Sequence, residues 1–370
     1  MRIVTVVGAR PQFIKAAPLS RLIRKRHVEI LVHTGQHYDP NMSDLFFSEL
    51  NIPLPDYNLE IGSGSHGRQT GRMLEKIEEV LILEKPDAVI VYGDTNSTLA
   101  GALAASKLHI PVCHVEAGLR SYNKSMPEEQ NRILTDHIST LLFCPTQTAV
   151  ENLKKEGITE GVCFTGDIMY DAVLRFFELA AARYRKSGGL SQVLNATNSR
   201  GDYMDLSEGQ FYLATVRRAE NTDDEEKLKG IFDAFGKLDR PVVVPMHPRT
   251  RKKLGDSVKA LAPNIVVVEP VGYLMMLYLT ANAYMVLTDS GGLQKQAYFF
   301  RTACTTLRDE IEWLETLENG WNVLSGADGK KIIESATRPL YCLSAEQTMP
   351  FGQGNAAEIM IDKMEERLGA

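Results

Sequence analysis

The chain has 370 residues, of which 44% are hydrophobic and 24% charged, and its formal net charge is −6. That length exceeds one ordinary core and implies two domains. The mildly acidic balance excludes a global basic field for nucleic acid or an anionic membrane surface, and no apolar run reaches the roughly 18–20 residues that cross a bilayer, so no membrane insertion is expected.

The first seven residues are short and apolar, superficially like a signal peptide. They run into Gly8-Ala9-Arg10-Pro11 rather than a small-residue cleavage site, and so read as a buried strand. Further strands are expected at 29–34, 88–92, 112–115, 141–144 and 162–165, with helices between them, for example at 13–24, 67–83 and 97–107. Residues 187–209 are rich in Gly, Ser, Asn and Asp and read as a solvated loop. The alternation then resumes with strands at 211–215, 242–246, 265–268, 284–287 and 303–307, and a closing amphipathic helix at 355–368. Continuous apolar strands separated by helices imply parallel sheets covered on both faces. The expected fold class is therefore α/β, with two Rossmann-like doubly wound domains facing a cleft at the carboxyl ends of their strands. Five scattered cysteines without a CxxC pair read as free buried thiols in a reducing compartment, and the eight histidines show no metal-ligand spacing.

The chemistry-bearing motifs directly follow expected strands. In Gly8-Ala9-Arg10-Pro11-Gln12-Phe13-Ile14-Lys15, a glycine turn enters a helix at Pro11, and Arg10 and Lys15 flank its N-terminus, where they can hold a diphosphate or be solvated. Asp94 ends the apolar strand 88–92, either as a functional carboxylate or as the cap of the next helix. Glu116 ends strand 112–115 beside small residues. A carboxylate there is costly unless it is used or paired, with Arg120 as a candidate partner. If these two strands are neighbours, Asp94 and Glu116 stand side by side, the arrangement that separates acid from base. Glu128 follows Pro127 and also fits a capping box with Ser125. Thr288-Asp289-Ser290-Gly291-Gly292 reads as a strand, a glycine turn that lets backbone approach a phosphate, and a helix. Arg217-Arg218 ends strand 211–215 as an anion contact, or with one arginine paired to Glu220. Arg308 and His247-Pro248-Arg249 occupy similar strand-end positions.

In combination, Gly8-Ala9-Arg10-Pro11, Gly93-Asp94-Thr95-Asn96-Ser97, His114-Val115-Glu116-Ala117-Gly118-Leu119-Arg120, Pro127-Glu128-Glu129 with Asn131-Arg132, and Thr288-Asp289-Ser290-Gly291-Gly292 resemble the non-hydrolysing UDP-N-acetylglucosamine 2-epimerase family over nearly the whole chain. Asn41-Met42-Ser43, Pro55-Asp56-Tyr57, the 66–74 stretch and His247-Pro248-Arg249-Thr250-Arg251 resemble the branch acting on UDP-2,3-diacetamido-2,3-dideoxyglucuronic acid, although some enzymes of the first kind share them. The resemblance implies a glycosyltransferase-B-like fold. Residues 1–168 with 353–370 would form an N-terminal domain carrying the carboxylates, and 169–352 a C-terminal domain binding UDP. It also implies a cytoplasmic homodimer that needs no cofactor or metal and serves surface polysaccharide synthesis, such as O-antigen or capsule. The implied reaction is loss of the C2 proton and of UDP to give a 2-acetamidoglucal, then re-addition.

By the same resemblance, Asp94, Glu116, Glu128 and Arg217 take catalytic positions. Arg10, Lys15, Ser290, Gly291, Gly292, Gln296 and Arg308 contact UDP, with Val271 and Met276 near the uracil. Gln36-His37 resembles the family's allosteric pair. Three positions depart from the pattern. Arg217 replaces a histidine and cannot shuttle protons near neutrality. Gln296 replaces a glutamate that binds ribose hydroxyls, and Arg301 stands where glycine is usual. A glycosyltransferase of this architecture, or a UDP-sugar-binding homologue without turnover, stays open as an alternative.

Overall fold

A computed structural model describes residues 1–35, 50, 52–185, 189–311, 313–340 and 349–369. Gln36-His37, Asn41-Met42-Ser43 and Cys342 lie outside these. The chain divides into two compact units, Met1–Arg175 with Met349–Ala370, and Phe176–Thr348.

Among the described residues, the first unit holds a seven-stranded sheet. Its strands are β1 (Arg2–Val7), β2 (Val28–His33), β3 (Tyr57–Asn58), β4 (Ala88–Tyr92), β5 (Val112–Val115), β6 (Leu141–Cys144) and β7 (Val162–Phe164). All pairs are parallel, in the order β3-β2-β1-β4-β5-β6-β7. The second unit repeats the plan with β8 (Tyr212–Thr215), β9 (Val242–Pro245), β10 (Ile265–Val268), β11 (Met285–Thr288), β12 (Ala303–Thr306) and β13 (Asn322–Leu324), ordered β10-β9-β8-β11-β12-β13. The direction of winding reverses between β1 and β4 in one sheet and between β8 and β11 in the other. Open α/β sheets bind ligands at such reversal points, beyond the carboxyl ends of the strands.

The apolar strands are buried on both faces, as parallel sheets require. In the first unit Val4, Val6, Val89 and Val91 pack with Met73 and Ile77 and with the alanines of helix Asn96–Lys107. Small side chains let that helix lie close. A Cβ at Gly101 would meet Val91 at 3.1 Å and Val6 at 3.3 Å. The second core gathers Tyr212, Ala214, Val244 and Leu287 around Ile231, Phe232 and Phe235. Each fully buried side chain of this size contributes about 1.5–3 kcal/mol, which fixes the strand ends where the functional residues sit.

The segment 187–209 departs from the expected solvated loop. Its described part holds the helical turn Leu190–Val193 and the antiparallel bridge Thr197–Tyr203, and it buries Leu190, Ala196 and Leu206. Composition suggested solvation, but three apolar side chains suffice to anchor a polar segment. Strands β3 and β13 are two and three residues long, too short to show a periodicity in sequence. Cys113, Cys144 and Cys304 are buried free thiols, and burial pushes Cys113 and Cys304 up to about 12. No helix among the described residues is long and apolar enough to cross a membrane.

The closing helix, Ala356–Leu368, belongs to the first unit and packs on helix Arg10–Arg26. Its first turn is capped from outside. Both Asp171 carboxylate oxygens accept backbone N–H groups, from Ala357 at 2.9 Å and Ala356 at 3.1 Å. Burial outweighs these bonds and pushes the Asp171 carboxyl up to about 6. Between its ordinary value and 6 the folded chain therefore holds the proton more tightly than the unfolded chain, so this group's contribution falls as pH rises through that window. Urea unfolding at pH 7 and pH 5 should show the wild type gaining stability relative to Asp171→Asn at the lower pH. Parallel behaviour of the two proteins would exclude this linkage.

Candidate active site

In the first unit the turns after β1, β4 and β5 converge. Gly8 is required by packing, because a Cβ there would lie 2.0 Å from Ser97 Oγ and 2.5 Å from Thr34 Oγ1. Gln12, in the first turn of helix Arg10–Arg26, ties two turns together. Its Oε1 accepts the Gly8 and Ala9 N–H groups at 2.7 and 3.0 Å, and its Nε2 donates to the Tyr92 carbonyl at 2.6 Å and to Thr95 and Thr98 hydroxyls. Sequence reasoning missed Gln12; its only signal was a buried-side amide in a helix first turn. Gln12→Leu would strand the two buried N–H donors of Gly8 and Ala9, at about 1–3 kcal/mol each, while the Tyr92 carbonyl keeps the Thr98 hydroxyl. A clear drop in the first unit's unfolding midpoint is expected by calorimetry, and an unchanged midpoint would refute this role.

Asp94 follows Gly93, which has φ +64. The helix cap is Thr95, whose hydroxyl accepts the Thr98 N–H at 3.3 Å, so the capping alternative for Asp94 does not hold. The Asp94 carboxylate instead meets Arg132 Nη2 at 2.5 Å, and its carbonyl accepts Asn131 Nδ2 at 2.9 Å. Strands β4 and β5 are neighbours, with Tyr92 opposite Val115. Asp94 and Glu116 thus extend from adjacent strand ends.

Glu116 is 8% exposed and has φ +74. A non-glycine residue there stores backbone strain of about 1–3 kcal/mol, a frequent mark of functional positions. Its N–H and that of Ala117 both reach the Phe143 carbonyl at 3.1 Å. Glu116 does not pair with Arg120, which is committed to Glu156 and Asp136. Its carboxylate pairs with Lys15. A Cβ at Gly93 would lie 3.4 Å from Glu116 Oε2 and 3.7 Å from Lys15 Nζ, so this pair sits directly over the turn that carries Asp94. Burial pulls Lys15 down, but Glu116, Asp94 and Asp167 together outweigh it and raise its pKa. Lys15 is thus the carboxylates' counterion. Arg10, at the start of the same helix, is exposed.

Helix Pro127–Ile138 supplies the neighbouring group. Its N-cap is Met126, and Ser125 bonds Asn123 instead, so the alternative reading of Glu128 as part of a capping box with Ser125 does not hold. Glu128 is exposed on the first turn. Glu129 fastens the preceding loop by accepting N–H groups of Ser121 and Tyr122 at 2.9 and 2.8 Å. Burial would raise its carboxyl, but these bonds and Arg132 hold it below its ordinary value.

In the second unit the organising group is Asp289, fully buried at the end of β11. It accepts the backbone N–H of Arg217 at 2.9 Å and of Arg218 at 3.0 Å, and the Asn221 amide at 3.2 Å. It therefore joins the turn after β8 to the turn after β11. Arg217 Nη2 donates to Ser290 Oγ at 2.9 Å, at the start of the glycine turn. Ser290 is the N-cap of helix Gly291–Phe299, and its hydroxyl makes no cap bond to that helix. The first-turn N–H groups at Gly291 and Gly292 suit an anion. Gln296 is buried on this helix, Arg308 is buried beyond β12, and Val271 is partly buried. Met276 lies on helix Tyr273–Asn282, which packs beside Gly291–Phe299. Arg301 has φ +56, the backbone conformation that glycine adopts without strain. Asp289 also escaped the candidate set, although it carried the signal that marked Asp94 and Glu116, a carboxylate ending a buried strand.

Residues 21–365 match the family described as UDP-N-acetylglucosamine 2-epimerase. A "UDP-N-acetylglucosamine 2-epimerase homolog" of Methanococcus maripaludis is 51% identical over 98% of this chain and 99% of its own. The UDP-2,3-diacetamido-2,3-dideoxy-D-glucuronate 2-epimerase of Pseudomonas aeruginosa is 48% identical over 96% and 97%. The crystal structure of Methanocaldococcus jannaschii UDP-GlcNAc 2-epimerase in complex with UDP-GlcNAc and UDP superimposes with a TM-score of 0.81 at 43% identity, covering 99% of this chain and 100% of that one. The calicheamicin glycosyltransferase CalG4, at 13% identity and a TM-score of 0.54 over 99% and 94% of the two chains, shares the fold alone. With its motifs, its two doubly wound sheets and these matches, the chain belongs to the UDP-N-acetylglucosamine 2-epimerase family.

Proposed function

We propose that the protein inverts C2 of a UDP-linked N-acetylated hexosamine, without hydrolysis, by eliminating UDP and adding it back. The observation that carries this reading is the pairing of two carboxylates with two cations at adjacent strand ends, Glu116 with Lys15 and Asp94 with Arg132. One carboxylate takes the C2 proton while the C1–O bond breaks and UDP leaves with the electron pair. A second group then returns a proton on the opposite face of the 2-acetamidoglucal, and UDP rebuilds the C1–O bond. The C2 proton is weakly acidic, so tightly positioned groups supply most of the rate. Glu128, exposed and not engaged in a capping box, is the third candidate for proton transfer.

Arg217, the Ser290 hydroxyl and the N–H groups at Gly291 and Gly292 take the diphosphate, with Arg308 adding positive charge. Gln296 binds the ribose, and Val271 and Met276 line the uracil. No metal or redox cofactor enters this scheme. A cytoplasmic homodimer serving surface polysaccharide synthesis completes the proposal.

The test is incubation in deuterated water with UDP-GlcNAc and, separately, with UDP-2,3-diacetamido-2,3-dideoxyglucuronate. Deuterium at C2 of both epimers of either sugar is the expected result, and the sugar that exchanges identifies the substrate. If neither exchanges, the proposal falls. Release of UDP only with an acceptor sugar would mark a transferase. UDP binding without turnover, restored by Arg217→His, would mark a binding homologue.

A further inference from the structure

Behind the carboxylates lies a charged cluster that the reaction scheme does not use. The His114 and Asp136 side chains are both 0% exposed. The His114 ring places Nδ1 at 2.7 Å from Asp136 Oδ1 and Nε2 at 2.8 Å from the Gly93 carbonyl. The other Asp136 oxygen accepts the Gly118 N–H at 3.1 Å and Arg120 Nη1 at 2.7 Å. Arg120 then makes a two-point pair with Glu156, both bonds 2.7 Å, and His137 lies 3.6 Å from Glu156. Gly93 immediately precedes Asp94, and Gly118 lies two residues beyond Glu116. One buried pair of side chains therefore grips both turns that present the candidate carboxylates.

The chemistry of the partners settles where the ring protons go. A carbonyl oxygen only accepts, so Nε2 carries a hydrogen. Asp136 accepts the Gly118 N–H and the Arg120 guanidinium through its other oxygen, so it faces the ring as a carboxylate acceptor and Nδ1 carries the second hydrogen. The charges then balance, with Asp136 and Glu156 against Arg120 and the ring. A buried network of this kind costs stability unless every member is satisfied, and here each stated partner is complementary.

We propose that His114, with a proton on each ring nitrogen, is a positioning residue for the reaction, clamping the Gly93 carbonyl and, through Asp136, the Gly118 N–H, so that Asp94 and Glu116 keep a fixed spacing. This rests on the epimerase reading above. The ring touches no reacting atom and acts through the two turns.

Three measurements test it. Nitrogen-15 spectra of the histidine-labelled wild-type protein at neutral pH should show His114 protonated at both nitrogens, and a singly protonated ring would overturn the proposal without any variant. His114→Gln can donate to Gly93 but turns its oxygen toward the Asp136 carboxylate. Its kcat for C2 exchange should fall about 10²-fold, the scale of a small misplacement of reacting groups, with KM and calorimetric UDP affinity unchanged. The double variant His114→Gln with Asp136→Asn restores complementarity: Asn Nδ2 donates to the Gln oxygen, and Asn Oδ1 still accepts from Gly118 and Arg120. It should regain about tenfold in kcat over His114→Gln, a coupling that a packing role would not produce. Wild-type kcat in folded His114→Gln, or no recovery in a folded double variant, would overturn the clamp. Should the wild type itself exchange no deuterium, the epimerase reading fails, while the nitrogen spectra still decide the protonation and geometry of the cluster.

Discussion

Glu116→Gln and Asp94→Asn are each expected to lower turnover by at least ~10²-fold while leaving UDP binding largely intact. Both substitutions keep shape and a hydrogen-bonding oxygen, so the loss isolates charge and basicity. Glutamine at 116 can still accept from Lys15, but it cannot take a proton from carbon. Asparagine at 94 can still meet Arg132, which also holds Glu129 at 2.9 Å, so the helix carrying Arg132 stays anchored. The check is a deuterium-exchange rate at saturating substrate beside a calorimetric UDP titration. Wild-type exchange in both variants would remove these carboxylates from the mechanism. A large loss of UDP affinity would instead mean that they shape the nucleotide site.

Asp289→Ala is expected to weaken UDP binding about 10²-fold and to destabilise the second unit by about 3 kcal/mol or more. The alanine leaves the Arg217 and Arg218 N–H groups and the Asn221 amide without their common acceptor, and hydrogen bonds to a charged group contribute about 1.5–3 kcal/mol each. It also frees the turn that aims Arg217 at Ser290. Asp289→Asn keeps one acceptor and should fall between the two. Calorimetry and denaturant unfolding read both effects, and wild-type affinity in Asp289→Ala would show that this carboxylate does not organise the nucleotide turn.

The fold was legible because doubly buried parallel strands are nearly continuous apolar runs. Val4, Val89 and Val244 announce themselves, and each strand–turn–helix junction then locates a ligand-facing turn. Sequence also located Asp94, Glu116 and the Ser290 turn as carboxylates or glycines ending such strands. It could not choose their partners. Whether Glu116 faces Arg120 four residues away or Lys15 a hundred residues earlier is decided by the β1-β4-β5 order, which only the folded sheet defines. Gln12 and His114 were hard to read for the same reason. Each acts on backbone groups of a distant turn, and a backbone partner leaves no trace in side-chain pattern. The unmade capping box at Ser125 shows the converse, since a local motif lost to Asn123, an acceptor two residues away.

The placement of residues Met349–Ala370 in the first unit has a consequence for biosynthesis. As the chain leaves the ribosome, the second unit, Phe176–Thr348, is complete in sequence before the first one is. The first sheet must wait for helix Ala356–Leu368 to cover helix Arg10–Arg26 and for Asp171 to find its two N–H partners. Domains that fold as units during synthesis usually do so from the N-terminus. Here the half bearing the carboxylates is the last to become complete in sequence, so the cover over helix Arg10–Arg26 is expected to close only after residues 349–370 have been made.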